Sequence, residues 1–351
     1  MKNRIKKIGA GWLAILLLAL TACGGSAGTE SGTSQESAGA SGAGSEAAAS
    51  SLAKDSEASA EESTTVYKIG VVQLAPHNAL EDAYQGFLEG LRVRGYEEGK
   101  NLALDYNNAL GDASNVTTVA QKVVHNEPDL IFAIATPAAQ AVANLTKEIP
   151  IVITAVTDPV AAGLVPSGGG GNVTGTSDLT PVAEQFALLQ TLLPEAKRIG
   201  ILTNSSEDNS RVQVEMAKEA AQAAGLQLME YTISKSDELV SVTQSMVGKI
   251  DALYVPTDNL VSENLLAVTG VTTPAKIPVI CGEEAMLERG GLATKGINYF
   301  ELGKQAGDMA ADILEGADPA SLPIGYQKDL TIRINEEVAG ELGIVVPDTL
   351  R

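Results

Sequence analysis

The sequence predicts an α/β protein of two doubly wound parallel-sheet lobes joined by a hinge, and three observations carry that prediction. The first is a repeat. Lys68-Ile69-Gly70-Val71-Val72, an amphipathic run ending at Gly95, Asp129-Leu130-Ile131-Phe132-Ala133-Ile134 and Ile149-Pro150-Ile151-Val152-Ile153 make up one half. Arg198-Ile199-Gly200-Ile201-Leu202, a run ending at Gly225, Asp251-Ala252-Leu253-Tyr254-Val255 and Ile277-Pro278-Val279-Ile280 repeat the order. The second is that these apolar runs are short and continuous rather than alternating, as in strands covered on both faces. The third is that helical periodicity fills the gaps, so each strand-to-strand connection is a right-handed helical crossover.

Taken in order, the strands are expected at Ile69–Gln73, Leu130–Ala135, Ile151–Ala155, Ile199–Thr203, Ala252–Val255 and Val279–Cys281, with helices such as Asn115–Asn126 and Val212–Ala224 between them. Two lobes of this kind leave a cleft, and doubly wound sheets bind ligands beyond the carboxyl ends of their strands. Those ends carry Gln73 and His77, then Thr136-Pro137, then Thr157-Asp158-Pro159 in the first half. In the second half they carry Asn209 and Ser210, then Asp258-Asn259, then Glu283. These nine residues, Gln73, His77, Thr136, Asp158, Asn209, Ser210, Asp258, Asn259 and Glu283, are the candidate ligand-binding set. Thr136 reads as an N-cap with Pro137 at the first helical position, a turn whose free N–H groups suit a carboxylate. Asp158, Asp258 and Glu283 are candidates for an ammonium group, so the set as a whole suits a zwitterion. The same residue types also cap helices without touching any ligand.

The ends of the chain give an address. Lys2, Arg4, Lys6 and Lys7 precede an apolar run from Ile8 to Leu20 and then Thr21-Ala22-Cys23, which predicts a signal peptide over residues 1–22. The run is short for a membrane span. Residues 23–65 are Gly, Ser, Ala, Thr and Glu with little else, a composition that cannot bury enough surface to order itself. As a flexible tether it would reach about 35 Å. The whole chain carries a formal charge of −20, which becomes −24 without the four basic residues of the leader. That excess of acid argues against nucleic acid as a partner.

Other signals lead nowhere catalytic. Cys281 sits in an apolar strand, no His/Cys/carboxylate spacing suits a metal, and no nucleophile elbow or dinucleotide fingerprint appears. No cofactor is expected. Gly168-Gly169-Gly170-Gly171 lacks the Lys-Ser that a phosphate loop needs and reads as a surface loop. The strand-end loops hold no aromatic residue on which a sugar could stack, although Tyr84, Tyr299 and Phe300 lie within possible reach. A small zwitterion is therefore favoured over a sugar or nucleoside, which stay open.

Leu20-Thr21-Ala22-Cys23 resembles the bacterial lipobox, which implies that Cys23 is lipidated and holds the protein on the outer face of the plasma membrane. Ala135-Thr136-Pro137-Ala138-Ala139-Gln140, Val156-Thr157-Asp158-Pro159-Val160, Asn172-Val173-Thr174-Gly175, Glu207-Asp208-Asn209-Ser210 and Pro256-Thr257-Asp258-Asn259 together resemble ABC-transporter substrate-binding lipoproteins of the TrpX/YtrF-like type. The likeness runs from Tyr67 to Leu350. It implies a type I periplasmic-binding-protein fold, a monomer, delivery of a solute to ABC permease subunits, and an amino acid, often aromatic, as that solute. It also implies three hinge crossings, near Gly175–Leu179, Gly296–Tyr299 and Pro323–Tyr326. The first lobe would then comprise 66–178 plus about 297–320, and the second 179–296 plus about 321–351. A ligand-responsive transcription regulator shares the two-lobe core but needs a DNA-binding unit where the tether lies. A sensing receptor and a transporter component look alike at this level.

Overall fold

The computed structural model describes residues 65–350, apart from Gly168 and Asp329; the expected leader, Cys23 and nearly all of the tether lie outside the described residues. The first half lays down β1 (Tyr67–Gln73), α1 (Asn78–Val93), β2 (Leu102–Asn108), α2 (Ala113–His125), β3 (Leu130–Ile134), α3 (Thr136–Ala143), β4 (Ile151–Val156) and β5 (Val173–Ser177). The second half adds α4 (Val182–Leu192), β6 (Arg198–Asn204), α5 (Asp208–Ala223), β7 (Gln227–Ile233), α6 (Leu239–Met246), β8 (Ala252–Val255), α7 (Asn259–Glu263), α8 (Leu265–Thr272), β9 (Val279–Cys281) and β10 (Ala293–Gly296). The chain then returns to the first sheet with α9 (Tyr299–Leu314) and β11 (Gly325–Tyr326), and ends on the second with β12 (Thr331–Ile334) and α10 (Glu336–Leu342).

Two six-stranded sheets result, in the orders β11-β5-β4-β3-β1-β2 and β12-β10-β9-β8-β6-β7. All pairings are parallel except that of β12 with β10, so the second sheet is not wholly parallel as expected. The reason is directional: β10 leads towards the hinge, whereas β12 comes away from it. The last crossing also falls later than about 320, because Gly325 and Tyr326 still pair with Thr176 and Ser177 of β5.

Burial explains the apolar runs. Every residue of β3, β4, β8 and β9 is buried, as parallel strands covered by helices on both faces require. Helix starts lie earlier than hydrophobic periodicity suggested. Asp112 caps α2 by accepting from the N–H groups of Ser114 and Asn115, and α5 opens at Asp208 rather than at Val212. A polar first turn carries no apolar stripe, so periodicity does not see it.

In the first lobe, the Phe87 and Phe132 rings stack with centroids 3.7 Å apart. α1 and α9 cross in backbone contact: a methyl group on Gly86 would overlap the Phe300 carbonyl, and one on Gly303 would overlap that of Ala83. This contact seats the first residue of α9, Tyr299, at the crevice. Cys281 is buried and unpaired, and burial pushes its thiol well above the ordinary value. It is a core residue.

Candidate functional site

The strand ends meet in a closed crevice. His77 Nε2 lies 3.3 Å from Asn259 Oδ1, Asn78 donates to Glu288 at 3.0 Å, and Gln140 donates to Asp208 at 2.9 Å. The hydroxyls of Thr157 and Thr257 stand 3.5 Å apart. Each of these four pairs joins one lobe to the other, so the lobes are shut against each other.

Between them lies a small cavity, about 260 Å³ of space between the atoms when its opening to solvent is counted. The first lobe lines it with His77, Leu80, Ala155, Asp178 and Tyr299, the second with Thr257, Asp258, Asn259, Ser262 and Glu283. A wider recess, lined in part by Leu74, Leu110, Pro137, Leu260 and Lys235, shares Asn259 with it.

Of the nine sequence candidates, His77, Asp258, Asn259 and Glu283 line the cavity. Asp258 is fully buried, and both of its oxygens are occupied. Oδ1 accepts from Val261 N at 2.9 Å, and Oδ2 accepts from Asn204 N and from Ser210 Oγ, each at 2.6 Å. Its carboxylate caps α7 and anchors the end of β6. Glu283 opens the short helical turn 284–289, accepting from Ser262 Oγ at 2.7 Å and from Ala285 N at 3.1 Å. Burial pushes its pKa up to about 7. Burial, and then the charge of Glu207, raise Asp258 as well.

The other candidates have different surroundings. Asp158 is half-buried and caps its own turn through Val160 N and Ala161 N, so it is set apart from the acids that line the cavity. Ser210 gives its hydroxyl to Asp258. Asn209 donates to Glu207 and to the Thr257 carbonyl, each at 3.0 Å. Gln73 donates to the Ala75 carbonyl at 3.0 Å. These are supports for the loops rather than walls of the cavity.

Thr136 is not the N-cap. Ala135 takes that position with φ 83° and ψ 151°, a conformation that suits glycine and costs an alanine on the order of 1–3 kcal/mol. Thr136 is the first helical residue, and its hydroxyl is buried without a partner. Ala155, at the end of β4, also has positive φ, 55°. Backbone strain thus gathers where two strands of the first sheet end.

Asp178 and Glu207 were not among the nine candidates, although Glu207 stood in one of the motifs that carry the resemblance. Asp178 follows β5 at the first hinge crossing, is 3 % exposed, and accepts from the Tyr299 hydroxyl at 2.7 Å. Its other oxygen has no partner, and burial raises its pKa. Glu207 accepts from five donors: Asn204 Nδ2, Asn209 Nδ2, and the N–H groups of Asn259, Leu260 and the Asn259 side chain. A strand-end Thr-Ser-Asp was the available signal for Asp178, but it was absorbed into the expected hinge.

Comparisons with known proteins agree with this architecture. Residues 68–351 match the family described as ABC transporter substrate binding protein. The chain is 43 % identical over 288 residues to a tyrosine-binding protein of Clostridioides difficile, covering 80 % of this chain and 84 % of that one. Among solved structures it matches a domain from Streptococcus pneumonia in complex with L-Trp, with TM-score 0.79 and 39 % identity over 82 % of this chain and 97 % of that one. Against the ligand-free, open form of a substrate binding protein with adhesive properties from Clostridium difficile, identity is higher at 45 %, yet the TM-score is 0.63 over 81 % and 97 % of the two chains. A poorer fit to the open form despite higher identity is what closed lobes produce. By the length of the match and by the relatedness, this chain belongs to the ABC transporter substrate-binding protein family.

Proposed function

We propose that the protein is the extracytoplasmic solute-binding component of an ABC importer, and that it traps an amino acid, an aromatic one such as tyrosine or tryptophan, and delivers it to the permease. The carrying observation is the closed cavity itself, in which buried polar groups of both lobes converge and the partnerless ones accept hydrogen bonds. An ammonium group answers them. The start of α3, with the free Thr136 hydroxyl beside its N–H groups, suits the carboxylate. Ligand bridging the two lobes stabilises the closed form that a permease can distinguish from the empty one. Binding is the whole activity in this reading, without catalysis. The tyrosine-binding relative and the L-Trp complex support the ligand class.

Calorimetric titration with tyrosine, tryptophan and phenylalanine, each beside its desamino analogue, tests the reading. At least one amino acid should bind, and its desamino analogue should bind about ten- to hundred-fold more weakly, the value of a charge-assisted hydrogen bond. Equal binding of both forms, or binding of sugars alone, would overturn it.

The anchor belongs to the same proposal. Cys23 lipidated on the outer face of the membrane would keep the binding lobes within tether's length of the permease. Cys23→Ser should leave the protein unprocessed or release it into the medium, read by cell fractionation and immunoblot. A correctly processed, membrane-bound Cys23→Ser protein would count against the anchor.

A further inference from the structure

Among the residues lining the cavity, two carry a buried polar atom without a partner: Asp178 through Oδ1 and His77 through Nδ1. Both belong to the first lobe. The acids of the second lobe, Asp258 and Glu283, have their oxygens engaged by their own loops.

The state of His77 follows from a chain of hydrogen bonds that begins at Glu207. Glu207 Oε2 can only accept, so the atom of Asn259 facing it at 2.6 Å is the amide nitrogen. The Asn259 oxygen therefore faces His77, and Nε2 must supply the hydrogen of that 3.3 Å contact. With the proton on Nε2, Nδ1 keeps its lone pair and is an acceptor. His77 is the N-cap residue of α1, yet its side chain makes no capping bond. The free nitrogen is left for something else.

We propose that the ligand's ammonium group is held on the first lobe by Asp178 Oδ1 and the unprotonated Nδ1 of His77, with Glu207 as a positioning residue that fixes this tautomer through Asn259. The assignment rests on the amino-acid reading above and sharpens it. Tyr299 occupies Asp178 Oδ2, so one oxygen and one ring nitrogen form a site for two of the three ammonium hydrogens. The groups that face the pair are Asn259 and Arg289 about His77, and Tyr299, the Thr157 hydroxyl and Glu283 about Asp178. Burial holds His77 neutral by lowering its pKa to about 4, and the Arg289 charge acts in the same direction. A protonated ring would offer a donor where the ammonium needs an acceptor. Because Glu207 and Asn259 belong to the second lobe, the acceptor is oriented only when the lobes close. Specificity for the amino group and closure are then one event.

The test uses the whole folded chain, L-tyrosine and its desamino analogue 3-(4-hydroxyphenyl)propanoate. The amide oxygen of His77→Asn falls near the place of Nδ1, whereas the amide of His77→Gln overlies Nε2 and can still meet Asn259. Tyrosine affinity should hold within about three-fold in His77→Asn, and fall about ten-fold or more in His77→Gln and in Asp178→Asn. Affinity for the desamino analogue should stay level across these variants, which separates a lost ammonium contact from a damaged fold. In nitrogen NMR spectra of the tyrosine complex, the His77 ring should show a protonated Nε2 and a bare Nδ1. Glu207→Gln should mix the two tautomers and weaken tyrosine without changing the desamino analogue. If tyrosine, tryptophan and phenylalanine all fail to bind the wild type, the amino-acid reading falls and takes this assignment with it. If tyrosine binds but His77→Gln and Asp178→Asn leave its preference over the desamino analogue intact, or the proton sits on Nδ1, the assignment alone is overturned.

Discussion

At pH 8 the ligand-free protein should stand open, and saturating L-tyrosine should compact it, as small-angle scattering would show in a smaller radius of gyration. Glu283 is buried in the closed form, where its pKa stands raised from the ordinary 4.5 to about 7, and opening the lobes should return it to water. A carboxyl that rises on closure binds its proton more tightly in the closed form. The resulting penalty on closure is absent below the ordinary value, grows between the two values and is complete above about pH 7. At 1.36 kcal/mol per unit of pKa it amounts to about 3 kcal/mol, roughly a hundred-fold in the closed population. Asp178, raised by the same burial, adds to it. His77 works the other way. Its pKa falls from 6.5 to about 4 in the closed form, so it opposes closure as pH drops through that window and is silent at pH 8. Glu283→Gln keeps an acceptor for Ala285 N and a donor for Ser262 while removing the charge. That variant should be compact at pH 8 without ligand. Identical scattering for empty wild type and empty variant would remove the acids from the closure mechanism.

The two lobes were legible because buried parallel strands write themselves as continuous apolar runs, and Ile131 to Ile134 or Ala252 to Val255 admit few other readings. The antiparallel β12 was not legible. Thr331–Ile334 is largely exposed, and its direction depends on where the chain re-enters the lobe, which no local pattern encodes. Within the site, four of the nine candidates line the cavity, and the division of labour among the nine was hidden. Asp158, Asp258 and Glu283 follow strands in similar fashion, yet one caps an outlying turn, one is spent on three donors of its own lobe, and one opens the turn 284–289 with its pKa raised by burial. Only the packing separates them. Asp178 was hardest to see because its importance comes from Tyr299, 121 positions away in sequence.

That dependence on α9 leads to the mutation with the largest expected effect on stability, Gly303→Ala. The added methyl would run into the carbonyl of Ala83 on α1. Backbone cannot turn aside as a side chain can, so the helices must separate along the face that also brings Gly86 against Phe300 and Gly307 against Phe87. Overpacking of this kind costs about 3 kcal/mol, the upper end for added methylenes. For a chain of this size the thermal midpoint should fall on the order of 6–12 °C. Gly270, inside α8, is the matched control, since a methyl there meets nothing within 4 Å. Replacing it with alanine should raise stability by about 0.5–1 kcal/mol through helix propensity alone. The two glycines differ only in what lies beside them, so propensity predicts the same sign for both and packing predicts opposite signs. The displacement should also reach the ligand. Tyr299 is the first residue of α9 and holds Asp178, so Gly303→Ala measured well below its midpoint should bind L-tyrosine more weakly while Gly270→Ala binds it as wild type does. Equal midpoints for the two variants would mean that α1 and α9 pack with slack the structure does not show, and that Tyr299 is positioned by something other than this contact.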